Sequence, residues 1–395
     1  MNKSFKPFAG AGSGALAVCA AAVLSGCASF SPDGGFGKVA ELTHERTGQR
    51  AVWQRSPADL DAAQARVGEL LKQPLTADSA VELALLNNRG LQANFAELGI
   101  AESELVRAGR LANPSFAFGR LRGGGGGGVT EIDRSIMFDV LGLLTMPLAR
   151  QVEQGRFEQA QYQAAFDAVG IAADARRAFF GAVAAQDLVG YFEQVWQAAD
   201  ASSELARRML RAGNFSKLAQ MRQQAFEADA TAQLARARHQ AVAARERLVR
   251  LLGLSGDSPN FKLPERLPDL PEAPLQAQEA EQAAIDRRLD VLMARRSTDA
   301  TAKALGLTQA TRFVNVLHAG YANKSQTGEP RQSGYEIELE LPLFDFGSAR
   351  SARAEAVYMQ SLHRTAAVAV NARSEVRESH AAYRTAWALA KHYRD

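Results

Sequence analysis

Carboxylates and aliphatic residues alternate near the end of the chain: Glu336, Glu338 and Glu340 interleave with Ile337, Leu339 and Leu341. Successive side chains of a strand point to opposite faces. The pattern therefore predicts a strand with one carboxylate face and one aliphatic face. A two-residue period also marks Phe116 and Phe118 among small residues, and Ile136, Phe138 and Val140 against Met137 and Asp139. Residues 312–321 read as strand as well. A glycine run at 123–128 and a polar stretch at 322–334 supply the loops. Two β-hairpins are expected, at 115–147 and 312–342, each ended by a proline (Pro147 and Pro342).

Outside the hairpins the pattern is mostly helical. Thr76 before Ala77-Asp78 is a plausible N-cap, and a helix is expected to run from there to about Leu111, closed by Asn113-Pro114. Residues 149–252 contain no proline and predict a long helical hairpin. Gly213-Asn214 is its turn, because both residue types tolerate the left-handed conformation that ends helices. A helix over 149–212 would be roughly 95 Å long at 1.5 Å per residue. Val169, Phe180 and Tyr191, like Ala173, Ala184 and Val195, recur every eleven residues, a spacing that suits long, nearly straight packed helices. Five prolines, from Pro259 to Pro274, predict an extended linker at 259–275. Helices are expected again at 276–310 and 348–395.

The order helix, hairpin, long helix thus occurs twice. Met146-Pro147-Leu148 corresponds to Leu341-Pro342-Leu343, and Arg89-Gly90-Leu91 to Arg287-Arg288-Leu289. We read a duplicated module, with copies at 76–258 and 276–395. The second copy stops at Asp395, short of a counterpart to the Gly213 turn. Roughly fifty residues of an equal copy would be missing; the chain is expected to be either naturally shortened or, the favoured expectation, a fragment.

The N-terminus reads as an export signal over 1–26. Lys3 and Lys6 precede an uncharged, small and apolar stretch at 8–24, too short to span a bilayer stably. It ends in Leu24-Ser25-Gly26-Cys27, which resembles a bacterial lipobox. Cys27 is then the lipidated first residue of the mature chain, and Ala28 after it points to the outer membrane. Several acyl chains anchor firmly, at ~0.8 kcal/mol per buried CH₂. Residues 27–75 are expected to be an extended tether with a little helix. Cys19 leaves with the signal, so neither a disulfide nor a cysteine metal site is expected.

Composition narrows the classes. With 47% hydrophobic and 23% charged residues the chain is not disordered. A net charge of +3 without basic tracts argues against nucleic acid as a partner. The six histidines (44, 239, 318, 363, 380 and 392) show no metal-ligand spacing, and Val129-Thr130 after the glycine run does not complete a phosphate loop. No catalytic residue, metal or cofactor is expected, and the chain reads as a non-enzyme.

A strand with a carboxylate face and an aliphatic face suits a membrane barrel with water inside and lipid outside. Four strands cannot enclose water, and open edges are not tolerated in lipid. Three copies would supply twelve strands, within the range of bacterial barrels.

Here the residues meet a family. Leu341-Pro342-Leu343-Phe344-Asp345-Phe346-Gly347 resembles the strand-exit segment of TolC-like outer-membrane factors. Ala80–Asn88 resembles the start of that family's first helix, and Ala212-Gly213-Asn214-Phe215-Ser216-Lys217-Leu218 its helix tip. Arg89-Gly90, Met146–Ala149 and Ala219 depart from the family pattern. The resemblance covers about residues 76–395. It implies a mainly α chain with membrane β structure: a homotrimer forming a twelve-stranded barrel on an α-helical periplasmic tunnel. It implies a passive conduit that works with a periplasmic adaptor and an inner-membrane pump to export small molecules or metal ions. Glu336, Glu338 and Glu340 would face the lumen. The tip, with Leu210, Ala212, Gly213, Asn214, Ser216 and Leu218, would contact the adaptor. The competing expectation is a lipid-anchored periplasmic coiled-coil scaffold that never enters the bilayer.

Overall fold

The computed structural model describes residues 28–124, 128–255, 261–274 and 280–395. The expected signal and Cys27, the centre of the glycine run and both ends of the proline linker lie outside these residues. The elements are α1 (Phe36–Thr47), α2 (Pro57–Leu70), α3 (Ala77–Asn87), α4 (Arg89–Ala108), β1 (Ser115–Arg122), β2 (Thr130–Asp139), α5 (Val140–Arg211), α6 (Lys217–Leu251), α7 (Ala280–Arg287), α8 (Leu289–Ala310), β3 (Leu317–Gln326), β4 (Gln332–Leu339) and α9 (Ser348–Arg394). They form two compact units. The first comprises the chain up to Gly34, Gly99–Ala160 and Ile285–Ala372; the second comprises Gly35–Leu98, Gln161–Ala284 and Arg373–Asp395.

The second unit holds an apolar core. Leu75, Leu83, Phe179, Val183, Leu248, Leu252 and Phe261 are buried there among alanines. Fully burying one such large side chain stabilises by about 1.5–3 kcal/mol. The alanines let helices approach closely. Among the buried positions of α5, Ala165, Ala168, Ala172, Ala175, Phe179 and Ala182 follow a three-four alternation. Val169 and Phe180 are only partly buried, and Tyr191 is 58% exposed. The residues of the eleven-residue series read from the sequence thus lie off the buried face, while the same spacing is kept by buried Phe157, Ala168 and Phe179 and by Gln161, Ala172 and Val183.

Residues 28–75 hold more than an extended tether. Ser56 caps α2 in a reciprocal box with Asp59, and Pro57 stands at the first helical position. Val39 and Thr43 of α1 are fully buried. Phe36 meets Phe95 edge-on with ring centroids 4.9 Å apart. These contacts order the segment.

The helix expected from Thr76 to Leu111 is two helices. Thr76 does cap the first, in a reciprocal box with Ser79. Asn88 then leaves the helical region, at φ −66 and ψ 115, and its Oδ1 accepts from Leu91 N to start α4. Its Nδ2 donates to Leu251 O at 2.9 Å, and Asn87 Nδ2 donates to Gly253 O at 2.7 Å. The break serves these bonds to the end of α6. Arg288, at φ −65 and ψ 131, breaks the corresponding helix between α7 and α8.

The described part of the proline linker, 261–274, contains no helix or strand. It is tied down at several points. Lys262 O accepts from Leu75 N at 2.8 Å, Phe261 O accepts from Arg245, and Pro271 O accepts from the Trp387 indole.

The first unit holds one sheet, ordered β1-β2-β3-β4 and antiparallel throughout. The first hairpin ends earlier than expected. Asp139 Oδ1 accepts from Gly142 N at 2.7 Å, which caps a helix beginning at Val140, and Pro147 lies inside that helix. Two turns in, its missing N–H leaves only the Leu143 carbonyl without its helical partner. In the second hairpin β3 begins later than expected, at Leu317, and continues through the polar Asn323–Gln326. Lys324 earns its place in the strand by pairing with Glu131 across to β2.

Beside the sheet, α8 and α9 meet through hydroxyls. Thr298 and Thr365 are 2.8 Å apart, and Thr301 and Ser361 2.7 Å. A Cβ on Gly155 of α5 would stand 3.0 Å from the Cβ of Ala300 on α8. The residues just after Cys27 are fixed too: Ser31 N and Oγ both donate to the buried Glu102, and Ala28 O accepts from Arg110.

Candidate functional site

The sheet has two unlike faces. Register places Glu336 and Glu338 with His318, Gly320 and Ala322 of β3, with Asp133, Ser135, Met137 and Asp139 of β2, and with Ser115, Ala117 and Gly119 of β1. Carboxylates and small residues dominate this face, and Met137 and Leu121 are its large apolar side chains. It holds a concavity of about 460 Å³, bordered by Asp133, Ser135, Lys324 and Glu336. His318 Nδ1 and Glu338 Oε2 are 3.0 Å apart across the β3–β4 pair. Glu340 lies one residue beyond β4, with its N–H still bonded to Val316 O.

The other face carries Phe116 and Phe118 of β1, Ile136 and Phe138 of β2, Tyr321 of β3, and Tyr335, Ile337 and Leu339 of β4. All are exposed; Phe116 is 69% exposed, Ile337 64% and Tyr335 87%. Apolar exposure on this scale marks a surface that is covered by something else. The edges are unsatisfied as well. β1 and β4 flank the sheet, and no further strand pairs with either among the described residues.

Glu336 and Glu338 therefore lie in β4 with Glu340 just past its end, and register brings the first two together with Glu131, Asp133, Asp139, His318 and Lys324, none of which the sequence marked as a site residue. The signal for most of them was present in the alternation Glu131, Asp133, Ser135, Met137, Asp139.

The helix tip lies in the second unit. Gly213 has φ +78, which only glycine adopts readily. Gly213 N donates to Leu210 O and Asn214 N to Met209 O, each at 3.0 Å. These are the two bonds of a Schellman turn. Ser216 starts α6 by accepting from Ala219 N at 3.1 Å. Ala212, Gly213, Asn214, Ser216 and Leu218 are exposed, and Leu210 is half-buried. Met221 is exposed beside them. Glu204 sits one turn back among Arg207, Arg208 and Arg211. The bond from Arg208, aided by the charges of Arg207 and Arg211, holds its carboxyl below the usual carboxylate range.

No helix among the described residues is long and apolar enough to cross a membrane. None of their His, Asp and Glu side chains forms a group able to hold a metal ion.

No protein-family model matches this sequence, and no curated protein matches it either. Solved structures do. The CmeC outer membrane channel of Campylobacter jejuni superposes with a TM-score of 0.66 at 13% identity, over 77% of this chain and 70% of that one. The outer membrane protein VceC of Vibrio cholerae gives 0.61 at 16% identity, over 76% and 77%. The open-state MtrE outer membrane channel of Neisseria gonorrhoeae gives 0.55 at 16%, over 80% and 73%. The chain has the fold of outer-membrane channel proteins, as its resemblance to TolC-like outer-membrane factors implied.

Proposed function

We propose that this chain is one subunit of a homotrimeric outer-membrane efflux channel. The observation that carries this reading is the sheet: a polar, carboxylate-bearing face, an exposed aromatic face, and two open edges. In water the aromatic face would need a core to cover it. In a bilayer it faces lipid, and the open edges close by pairing β1 of one subunit with β4 of the next. Three subunits make a twelve-stranded barrel. The scaffold alternative leaves both the aromatic face and the edges without a partner, and we set it aside.

In this reading the duplicated module supplies one hairpin per copy. Glu336, Glu338 and Glu340 face the lumen with Asp133 and Asp139. Cys27 carries the lipid that anchors the chain to the outer membrane. The tip from Leu210 to Leu218 docks a periplasmic adaptor, through which an inner-membrane pump drives export of small molecules or metal ions. The channel itself is passive. Its likeness in fold to solved outer-membrane channels supports this. Reconstitution of the full-length protein in planar bilayers tests it. Single-channel steps from a trimer are expected; a monomer that stays in the aqueous phase would refute it.

A further inference from the structure

The outward face of the sheet is divided along the strands, a division that the proposed channel does not itself require. Both hairpin turns lie at one end, joined where Thr130 O accepts from Thr327 N at 3.0 Å. Toward that end the face changes character. Arg120 and Arg122 follow Phe118 on β1, and Arg134 follows Ile136 on β2, paired with Phe118; Ile132, opposite Arg120, is the one large apolar side chain among them. Asn323, Ser325 and Ser333 continue the polar zone on β3 and β4. Strand positions on this face carry no carboxylate, whereas Glu131, Asp133, Asp139, Glu336 and Glu338 all lie on the other. None of the three arginines makes an ion pair among the described residues. Asn323 Oδ1 accepts from Arg134 at 3.3 Å and steadies its guanidinium. The β3–β4 turn adds one charge of each sign, Glu329 and Arg331.

The height of the apolar zone fixes where these arginines stand. Tyr335 to Leu341 covers about 20 Å of strand, which a tilt of roughly 35–45° reduces to about 15 Å. An outer-membrane belt is about 25 Å tall. The remainder is available on the side away from the turns, where Leu143, Leu144, Leu343, Phe344 and Phe346 are exposed. Extending the belt the other way would drive three unpaired guanidinium groups into hydrocarbon. The bilayer boundary on the turn side therefore runs along Phe118 and Arg134, with Arg120 and Arg122 just above it.

We infer that Arg120, Arg122 and Arg134 form a binding site for phosphate groups of lipid headgroups in the outer leaflet. The site rests on the barrel reading above. Guanidinium groups bind phosphate through paired, charge-assisted hydrogen bonds, and a face free of carboxylates offers no competing partner. The lipid's acyl chains would lie on Phe116, Ile136 and Tyr335 directly below.

The test uses full-length protein reconstituted in vesicles of a neutral, phosphate-free glycosyl diacylglycerol. The vesicles are doped with a diphosphorylated glycolipid or with the same glycolipid after removal of its phosphates. The phosphorylated lipid is expected to raise the thermal unfolding midpoint, and high salt to reduce the rise. An R120Q/R122Q/R134Q variant should bind it roughly tenfold or more weakly, the loss expected from one charge-assisted bond, while R120K/R122K/R134K keeps most of the binding. Equal shifts with both glycolipids, or an undiminished shift in the glutamine variant, would overturn the site while leaving the barrel intact. A shift reproduced by inorganic phosphate alone would assign the arginines to free anions and overturn it likewise. Failure of the wild-type protein to insert, seen as full protease access to the strands, would overturn the barrel reading together with the site.

Discussion

Asn88 donates its side-chain amide to the carbonyl of Leu251, at 2.9 Å, and so joins the break between α3 and α4 to the last residue of α6. Asn87 beside it donates to Gly253. Leaving such carbonyls without donors costs about 1–3 kcal/mol each. Asn88→Ala should lower stability by that order, and a double change with Asn87→Ala by more, read from chemical unfolding. Gly253→Ala should be at least as damaging, because φ is +65 there and a Cβ would press on the Asn87 carbonyl.

At the helix tip, shape and docking can be separated. Gly213→Ala forces a left-handed conformation on a residue with a Cβ and should cost about 1–2 kcal/mol. Leu218→Glu lies on the exposed surface and should leave the unfolding midpoint nearly unchanged. In the proposed assembly it should weaken adaptor binding about tenfold, the loss of one buried anchor. Calorimetry of unfolding and of adaptor binding on both variants checks the pair.

Acid should act on two carboxyls in opposite directions. Glu204 is held low by Arg208 and its neighbours. A folded pKa below the unfolded one gives stability that is present above the ordinary value of 4.5 and lost as pH falls through the folded value. Glu204→Gln should therefore be less stable than wild type at neutral pH and converge with it in strong acid. Asp167 is pushed up by burial, against the bonds from Gln163 and Asn94, with nearby Glu97 adding to the rise. Its contribution favours the folded state increasingly as pH falls from above its folded value toward 3.8. Carbon-detected titration of the Asp167 carboxyl should find it above the ordinary aspartate range.

The two sheet faces predict unequal tolerance. In the proposed barrel, Ile337→Arg places a charge against lipid and should cost about 2–4 kcal/mol near the midplane. Glu336→Arg, one residue away, would point into the water of the proposed lumen and should leave folding nearly unchanged. Yields of heat-modifiable trimer distinguish the two.

In the proposed channel, Glu336→Gln with Glu338→Gln removes lumenal charge. A fall in cation preference is expected from reversal potentials in planar bilayers under a salt gradient. An unchanged preference would detach these carboxylates from ion selection.

Much of this architecture was legible in the chain because its signals are local. Alternation located the strands, Thr76 announced its cap, and Gly213-Asn214 announced a turn. Less was legible where distant partners decide. The break at Asn88 exists because α6 ends beside it, which no nearby residue reveals. Pro147 looked like a terminator, yet Asp139 caps a helix eight residues earlier. The polar run Asn323–Gln326 looked like loop, and it is strand because β2 pairs with it. Ser56-Pro57 with Asp59 was a readable cap in a segment taken for a tether. On the polar face, Glu131, Asp133 and Asp139 show the same alternation as Glu336–Leu341, while their alignment with Lys324 and His318 depends on register.

The open edges of β1 and β4 bear on genetics. In the proposed trimer each subunit must offer a sound β1 to one neighbour and a sound β4 to the other, so a ring cannot be completed around a single defective edge. A proline placed in β4, made from one gene copy beside a normal one, should therefore behave as dominant: most assemblies drawn from a mixed pool would include a faulty member, and export would fall well below half.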